Sequence, residues 1–213
     1  PVFERMHREA AWAGAGEGLS AALVHLAIGS DAAQVFASLM LAVAGNLKKF
    51  HVGVHAFTKT VPLQAFKDGS DIRVVIDRVG SVVATELRKR HLRKPFDLVH
   101  CHDWASAAAV AAAVREMRVP MVMTMLSTEH ERSAGMQHPL SDDICALESQ
   151  SAQAAQLVLV PRSSLMQQLI TLYGVSAERV VIVQELEQHI ERRHESKAGD
   201  VRRSLGINAD SRI

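Results

Sequence analysis

A chain of 213 residues with 48% hydrophobic content has enough apolar material for one sizeable domain, and with aromatics at only 4% its core must be aliphatic. A formal net charge of +1 excludes a global electrostatic case for nucleic acid or an anionic membrane surface as partner. The cysteines, Cys101 and Cys145, form neither a metal-spaced pair nor a disulfide framework, which points to a reducing cytoplasm.

Residues 1–18 read as a lead-in: a short amphipathic piece, then Gly14, Gly16 and Gly18. The start, Pro1-Val2-Phe3-Glu4-Arg5, is charged and shows no secretory signal; a first residue other than Met fits a piece of something longer. Ala21 to Leu47 is the most apolar stretch, but Ser30-Asp31 interrupts it and it carries His25 and Gln34, so it falls short of the roughly 20 unbroken apolar residues of a membrane span. It reads instead as a strand over Ala21–Ile28, a turn at Gly29-Ser30-Asp31, and a helix from Ala32 to Leu47 stopped by Gly45-Asn46.

The rhythm continues. Strands are expected at His51–Phe57 and, after the turn-prone Lys67-Asp68-Gly69-Ser70, at Asp71–Ile76; a helix over Ser81–Arg90 follows. Next come a strand at Phe96–Cys101, an alanine-rich helix over Asp103–Arg118, a strand at Pro120–Met125, a helix over Asp142–Gln156 and a strand at Leu157–Val160. A helix from Ser163 to Tyr173, closed by Gly174, leads to a last strand at Arg179–Val183. The alternation predicts an α/β, Rossmann-like parallel sheet with helices on both faces over residues 19–184, followed by a charged helix and linker over 185–213.

In such a sheet ligands bind beyond the C-terminal ends of the strands, and four loops there carry candidates. At Gly29-Ser30-Asp31 the glycine lets backbone approach a ligand, though Asp31 would repel phosphate and a plain turn and cap is the other reading. At His100-Cys101-His102-Asp103-Trp104 two imidazoles, a carboxylate and an indole crowd one turn. His100 and His102 are taken to point to opposite faces, which argues against one metal gripping both. Asp103 as a cap of the next helix is the structural reading; the alternative is that the cluster with His102 and Asp103 hydrogen-bonds sugar hydroxyls while Trp104 offers an apolar platform. Ser127-Thr128-Glu129-His130-Glu131-Arg132 is dense in hydrogen-bonding groups, and Ser163 or Ser164 is a candidate helix cap. His51 and His55 share a strand face and read as structural. There is no G-x-S-x-G elbow, Walker loop or H-E-x-x-H, and no metal site is expected.

These segments resemble a known family. Phe96-Asp97-Leu98-Val99-His100-Cys101-His102-Asp103-Trp104 is similar to the D-V-V-H-x-H-D-W segment of the family-4 retaining glycosyltransferases, the group of glycogen, starch and sucrose synthases. Val119-Pro120-Met121-Val122-Met123-Thr124 resembles the x-P-x-V-x-T strand of that family. Ser127-Thr128-Glu129, Arg132, Ile144 and Glu148 resemble its following loop and helix, and Leu172–Val180 its x-Y-G-V-x-x-x-K-I segment. The resemblance implies the N-terminal half of a GT-B fold, with Arg202–Ile207 similar to the segment before a second, C-terminal domain.

By that resemblance the chain is the acceptor-side domain of an enzyme moving a hexose from a nucleotide-sugar donor to a glucan or other saccharide acceptor with retention. His102, Asp103, Trp104, Ser127, Thr128, Glu129 and Arg132 would bind substrate, and Gly29 would approach the donor. The covalently linked C-terminal domain would supply the groups that stabilise the departing diphosphate. No catalytic residue in this half and no separate cofactor are implied. The sequence departs from the family at Leu126, where the family carries His, at Pro161, where it carries Ser, and at Gln184-Glu185-Leu186, where it carries Pro-Asn-Gly. Leucine neither donates nor accepts a hydrogen bond, so a non-catalytic saccharide-binding or regulatory relative stands beside the enzyme reading. A free-standing nucleotide-binding fold is a third.

Overall fold

A computed structural model describes residues 19–28, 53–61, 71–134, 136 and 139–183. Their elements in chain order are β1 (Ser20–Ile28), β2 (Gly53–Val61), α1 (Ile72–Arg93), β3 (Leu98–His102), α2 (Asp103–Met117), β4 (Met121–Thr124), α3 (Glu129–Arg132), α4 (Ser141–Ala154), β5 (Leu157–Val160), α5 (Ser163–Thr171), a 3-10 turn (Ala177–Arg179) and β6 (Val180–Ile182). The six strands form one sheet in the order β2-β1-β3-β4-β5-β6, and every adjacent pair is parallel. The fold is therefore α/β and Rossmann-like. The lead-in 1–18, the turn with Gly29, the helix expected over 32–47, His51 and the tail 185–213 lie outside the described residues.

Register explains the core. Phe57, Val24, Cys101, Met123, Val158 and Val180 pair across the sheet in one row, and all six are buried. Strand residues two apart share a face, so Ala22, Leu26, Val99, Met121 and Val160 extend that apolar surface. Ile76 and Leu87 of α1, Val110 and Val114 of α2, and Leu165 and Leu169 of α5 join the same cluster. The alanines of α2 act as expected: Ala105, Ala107 and Ala113 are buried and bring the helix close to its neighbours.

One element differs from expectation. Asp71–Ile76 is the start of a 22-residue helix, not a strand. The β-branched run Ile72-Arg73-Val74-Val75-Ile76 suggests a strand locally, but burial follows the helical period instead: Ile72, Ile76, Gly80, Val83, Ala84 and Leu87 face inward while Val74 and Val82 are exposed. Asp71 caps the helix, its Oδ1 accepting from the Arg73 N–H at 2.8 Å. The expected caps Ser163 and Ser164 are also displaced, since the cap position is Arg162 and no side chain bonds there. Gly174 ends the α5 region in the left-handed conformation, with φ 65°.

α1 and α2 pack tightly at Gly80, where a Cβ would stand 2.6 Å from the Ala109 Cβ and 2.8 Å from its Cα. Alanine there gains about 1 kcal/mol of helix propensity but overpacks the contact by about 1–3 kcal/mol. Gly80→Ala is expected to lower the urea midpoint without changing the denaturation slope. A neutral or raised midpoint would contradict the helix contact.

Candidate functional site

The connection leaving β1 leads to β2 and that leaving β3 leads to β4, in opposite directions along the sheet. The topological switch point therefore lies between β1 and β3, where parallel α/β sheets open a crevice. Register places His25 of β1 directly beside His102 of β3, and His102 beside Thr124 of β4. A polar row thus marks the C-terminal rim on the face opposite the main core.

Here the expected arrangement of the histidines is corrected. His100 and His102 are two residues apart on one strand, so they share a face; their rings stack with centroids 4.5 Å apart. His25 meets His102 edge-on at 6.4 Å. His100 Nε2 and the Thr124 hydroxyl hydrogen-bond at 2.8 Å, and His102 Nε2 is buried with no hydrogen-bond partner among the described residues. Burial lowers all three imidazoles: His100 falls to about 4 and His25 moves down, while His102 falls well below its ordinary value through burial and then through the charges of His100 and His25. Among the described residues no group of three or more His, Cys, Asp or Glu is placed to hold a metal ion.

The turn into α2 is strained where Asp103 sits. Its φ is 68°, in the left-handed region that costs a residue with a Cβ about 1–2 kcal/mol and that Asp tolerates better than most. The helix starts at Asp103 with His102 in the cap position, so Asp103 is not the expected cap; its Oδ1 accepts from the Trp104 N–H at 2.8 Å. Ser106 fixes the turn, donating to the His102 carbonyl at 2.5 Å and accepting from the Leu26 N–H at 2.8 Å. Trp104, expected to offer a platform, is 4% exposed and belongs to the apolar core.

The loop after β4 is built by α3. Thr128 caps it, accepting from the Glu131 N–H at 3.2 Å and donating to Gln168 Oε1 at 2.7 Å. Beneath lies Glu148 of α4, with 0% exposure. Its carboxylate accepts from the Glu129 N–H at 2.9 Å, from Arg132 at 2.5 Å, and from the Tyr173 hydroxyl. Arg132 also reaches Glu129 Oε2 at 3.1 Å and Ser127 Oγ at 3.0 Å, while Glu129 Oε1 accepts from Ser141 at 2.9 Å. Arg162 adds a second tie, to Glu131 at 2.5 Å.

Burial pushes the Glu148 and Asp103 carboxyls up, opposed by the donors aimed at them. Burial pulls Arg132 down, but the charges of Glu148, Asp103 and Glu129 more than offset this and raise it. β3 and β4 are adjacent and parallel, so the loops after them leave the same rim, and the charges of Asp103 and Arg132 act on each other's titration. Asp103, Ser127 and Arg132 remain partly accessible there; His102, Trp104, Thr128 and Glu129 are buried and shape it. Glu148 and Tyr173 stood inside family-like segments, but only the fold shows that they meet.

A family profile described as Glycosyltransferase Family 4 matches residues 43–185. Over 122 residues the chain is 27% identical to an uncharacterized glycosyltransferase of Methanocaldococcus jannaschii, a match covering 55% of this chain and 31% of that protein. The fold is similar to that of sucrose-phosphate synthase from Thermosynechococcus elongatus, with TM-score 0.54, 15% identity, and coverage of 78% of this chain and 47% of that one. It is also similar to an Arabidopsis thaliana structure complexed with UDP-L-rhamnose, with TM-score 0.50, 10% identity, and coverage of 79% and 52%. The chain therefore spans about a third of the curated relative and about half of these solved chains.

The histidine row makes stability depend on pH. Each imidazole titrates below its ordinary 6.5 when folded, so between the folded value and 6.5 the unfolded chain holds more protons. Their contribution is intact above 6.5 and is lost as pH falls, at up to about 1.4 kcal/mol per pH unit for each group. Asp103 and Glu148, shifted up, act in the opposite sense at the acid end. The melting temperature is expected to fall from pH 7 to pH 5, and His100→Gln to flatten that slope. An unchanged slope would exclude His100 as a contributor.

Proposed function

Since the chain belongs to glycosyltransferase family 4, we propose that it is the acceptor-side domain of an enzyme that moves a hexose from a nucleotide-sugar to a saccharide with retention. The supporting observation is that the loops bearing Asp103 and Arg132 leave adjacent parallel strands on one rim beside the switch point. A carboxylate, a guanidinium and the Ser127 hydroxyl together accept from and donate to sugar hydroxyls, and the ties beneath them hold that pattern before a ligand arrives. His102, Thr128 and Glu129 act from below, and Trp104 anchors the turn from the core. Gly29 lies outside the described residues and keeps its proposed place near the donor. A linked C-terminal domain binds the nucleotide-sugar in this reading, and the setting is cytoplasmic. No helix among the described residues is long and apolar enough to cross a membrane.

A second reading, a saccharide-binding relative without turnover, is favoured by Leu126. It is partly buried beside this rim, and its carbonyl accepts from Arg162 at 3.4 Å. Its aliphatic side chain supplies no hydrogen bond where the family carries His.

Saturation-transfer NMR with maltopentaose tests saccharide recognition in both readings. Asn tolerates a left-handed φ, so Asp103→Asn keeps the turn and removes the charge. It is expected to weaken saccharide binding about tenfold, the value of one charged hydrogen bond, with the melting temperature little changed. Absence of saccharide contact, or binding indifferent to Asp103→Asn, would overturn the acceptor assignment. Sugar transfer by the whole protein that Asp103→Asn abolishes would exclude the second reading.

A further inference from the structure

The opposite end of the strands holds a groove that the proposed acceptor rim does not use. Its volume is about 690 Å³, and it runs between the C-terminal end of α2, the start of β4 and the C-terminal end of α4. These are the far ends of the elements whose near ends bear Asp103, Thr124 and Ser141. The size lies within the range of small-molecule sites.

The groove has a distinct chemistry. Val114, Val119 and Met121 are buried and form an apolar floor, with the short side chains of Ala111 and Ala154 as walls. Arg115 and Arg118 stand over it, both exposed. Neither guanidinium has a hydrogen-bond or ion-pair partner among the described residues. The nearby acid Glu116 is already committed to Arg88 at 2.8 Å. Gln156, at the mouth, has its Oε1 occupied by the Met121 N–H at 2.6 Å.

Helix C-termini repel anions, and two of them point here, each carrying about −0.5 charge. Two full guanidinium charges outweigh that sum and leave the groove cationic by about one unit. The left-handed turn at Arg118, φ 56°, ends α2 in the groove.

We propose that this groove binds a small amphiphilic anion: a carboxylate, sulfonate or phosphate ester whose charged head pairs with Arg115 and Arg118 while its apolar body covers Val114, Val119 and Met121. The pairing of two unpartnered cations with an apolar floor selects this class over a neutral apolar ligand, which would leave both arginines unused. It also selects it over a free inorganic anion, which would leave the floor uncovered.

Fluorescence titration with anilinonaphthalene sulfonate tests the site. The dye is expected to bind to the folded protein and to be displaced by decanoate but not by inorganic sulfate. Arg115→Ala combined with Arg118→Ala should weaken binding at least tenfold, with an unchanged circular dichroism spectrum, because both side chains are exposed. Ala154→Trp should block binding by filling the groove, and the neutral dye phenylnaphthylamine should bind at least tenfold more weakly. Dye binding indifferent to the arginine pair and to Ala154→Trp, or a neutral dye that binds as tightly, would overturn the proposal.

Discussion

The rim of this protein depends on one buried carboxylate. Glu148 has no exposure, yet it meets three donors drawn from distant parts of the chain: the backbone of Glu129, the guanidinium of Arg132 and the hydroxyl of Tyr173. Removing a charge from water costs several kcal/mol, and that cost is offset only when geometry and hydrogen bonds are both good. The fold supplies them by drawing α3 down onto α4 and the end of α5 over it. The loop after β4 is thereby set by the interior. Loops are ordinarily the most mobile parts of a domain, and here the accessible face of Arg132 inherits the fixity of a core residue.

A second constraint acts on the neighbouring turn. Asp103 holds a backbone conformation unfavourable for a side chain with a Cβ, and it persists because Ser106 ties the turn to β1 while Trp104 is locked in the core. Strain maintained by its surroundings is common where a group must be presented in one orientation. The two devices set a carboxylate and a cation on loops that leave adjacent parallel strands. The opposite end of the same strands differs: it exposes two cations over an apolar floor, with no partner for either among the described residues. The two ends thus carry different side-chain chemistry, although α2, β4 and α4 run between them.

Much of this architecture was legible beforehand because buried parallel strands are short, continuous apolar runs. Ala21–Ile28, Leu157–Val160 and the helix that follows Leu157–Val160 read directly from that pattern. The segment at 71–76 misleads because its β-branched residues favour a strand locally, whereas the inward set from Ile72 to Leu87 follows the helical period. The parity of His100 and His102 was legible too, since alternate strand residues share a face. What no local pattern carries is the convergence on Glu148. Tyr173 lies 25 residues further along the chain from it, and a tyrosine before a glycine, at a helix end or in a family-like segment, does not say which carboxylate it meets. The burial of Trp104 was hidden in the same way, because a tryptophan at a strand end serves a ligand or a core equally well.

The account rests on Arg132 and Tyr173 being linked through a carboxylate that both touch. A double-mutant cycle of Arg132→Gln and Tyr173→Phe, read by urea denaturation, tests this most directly. Each change leaves the carboxylate short of one donor, so the account expects the pair to depart from additivity by about 1 kcal/mol or more, within the range seen for residues of one network. Strict additivity, within about 0.3 kcal/mol, would mean that the two side chains act separately and that Glu148 does not organise the rim.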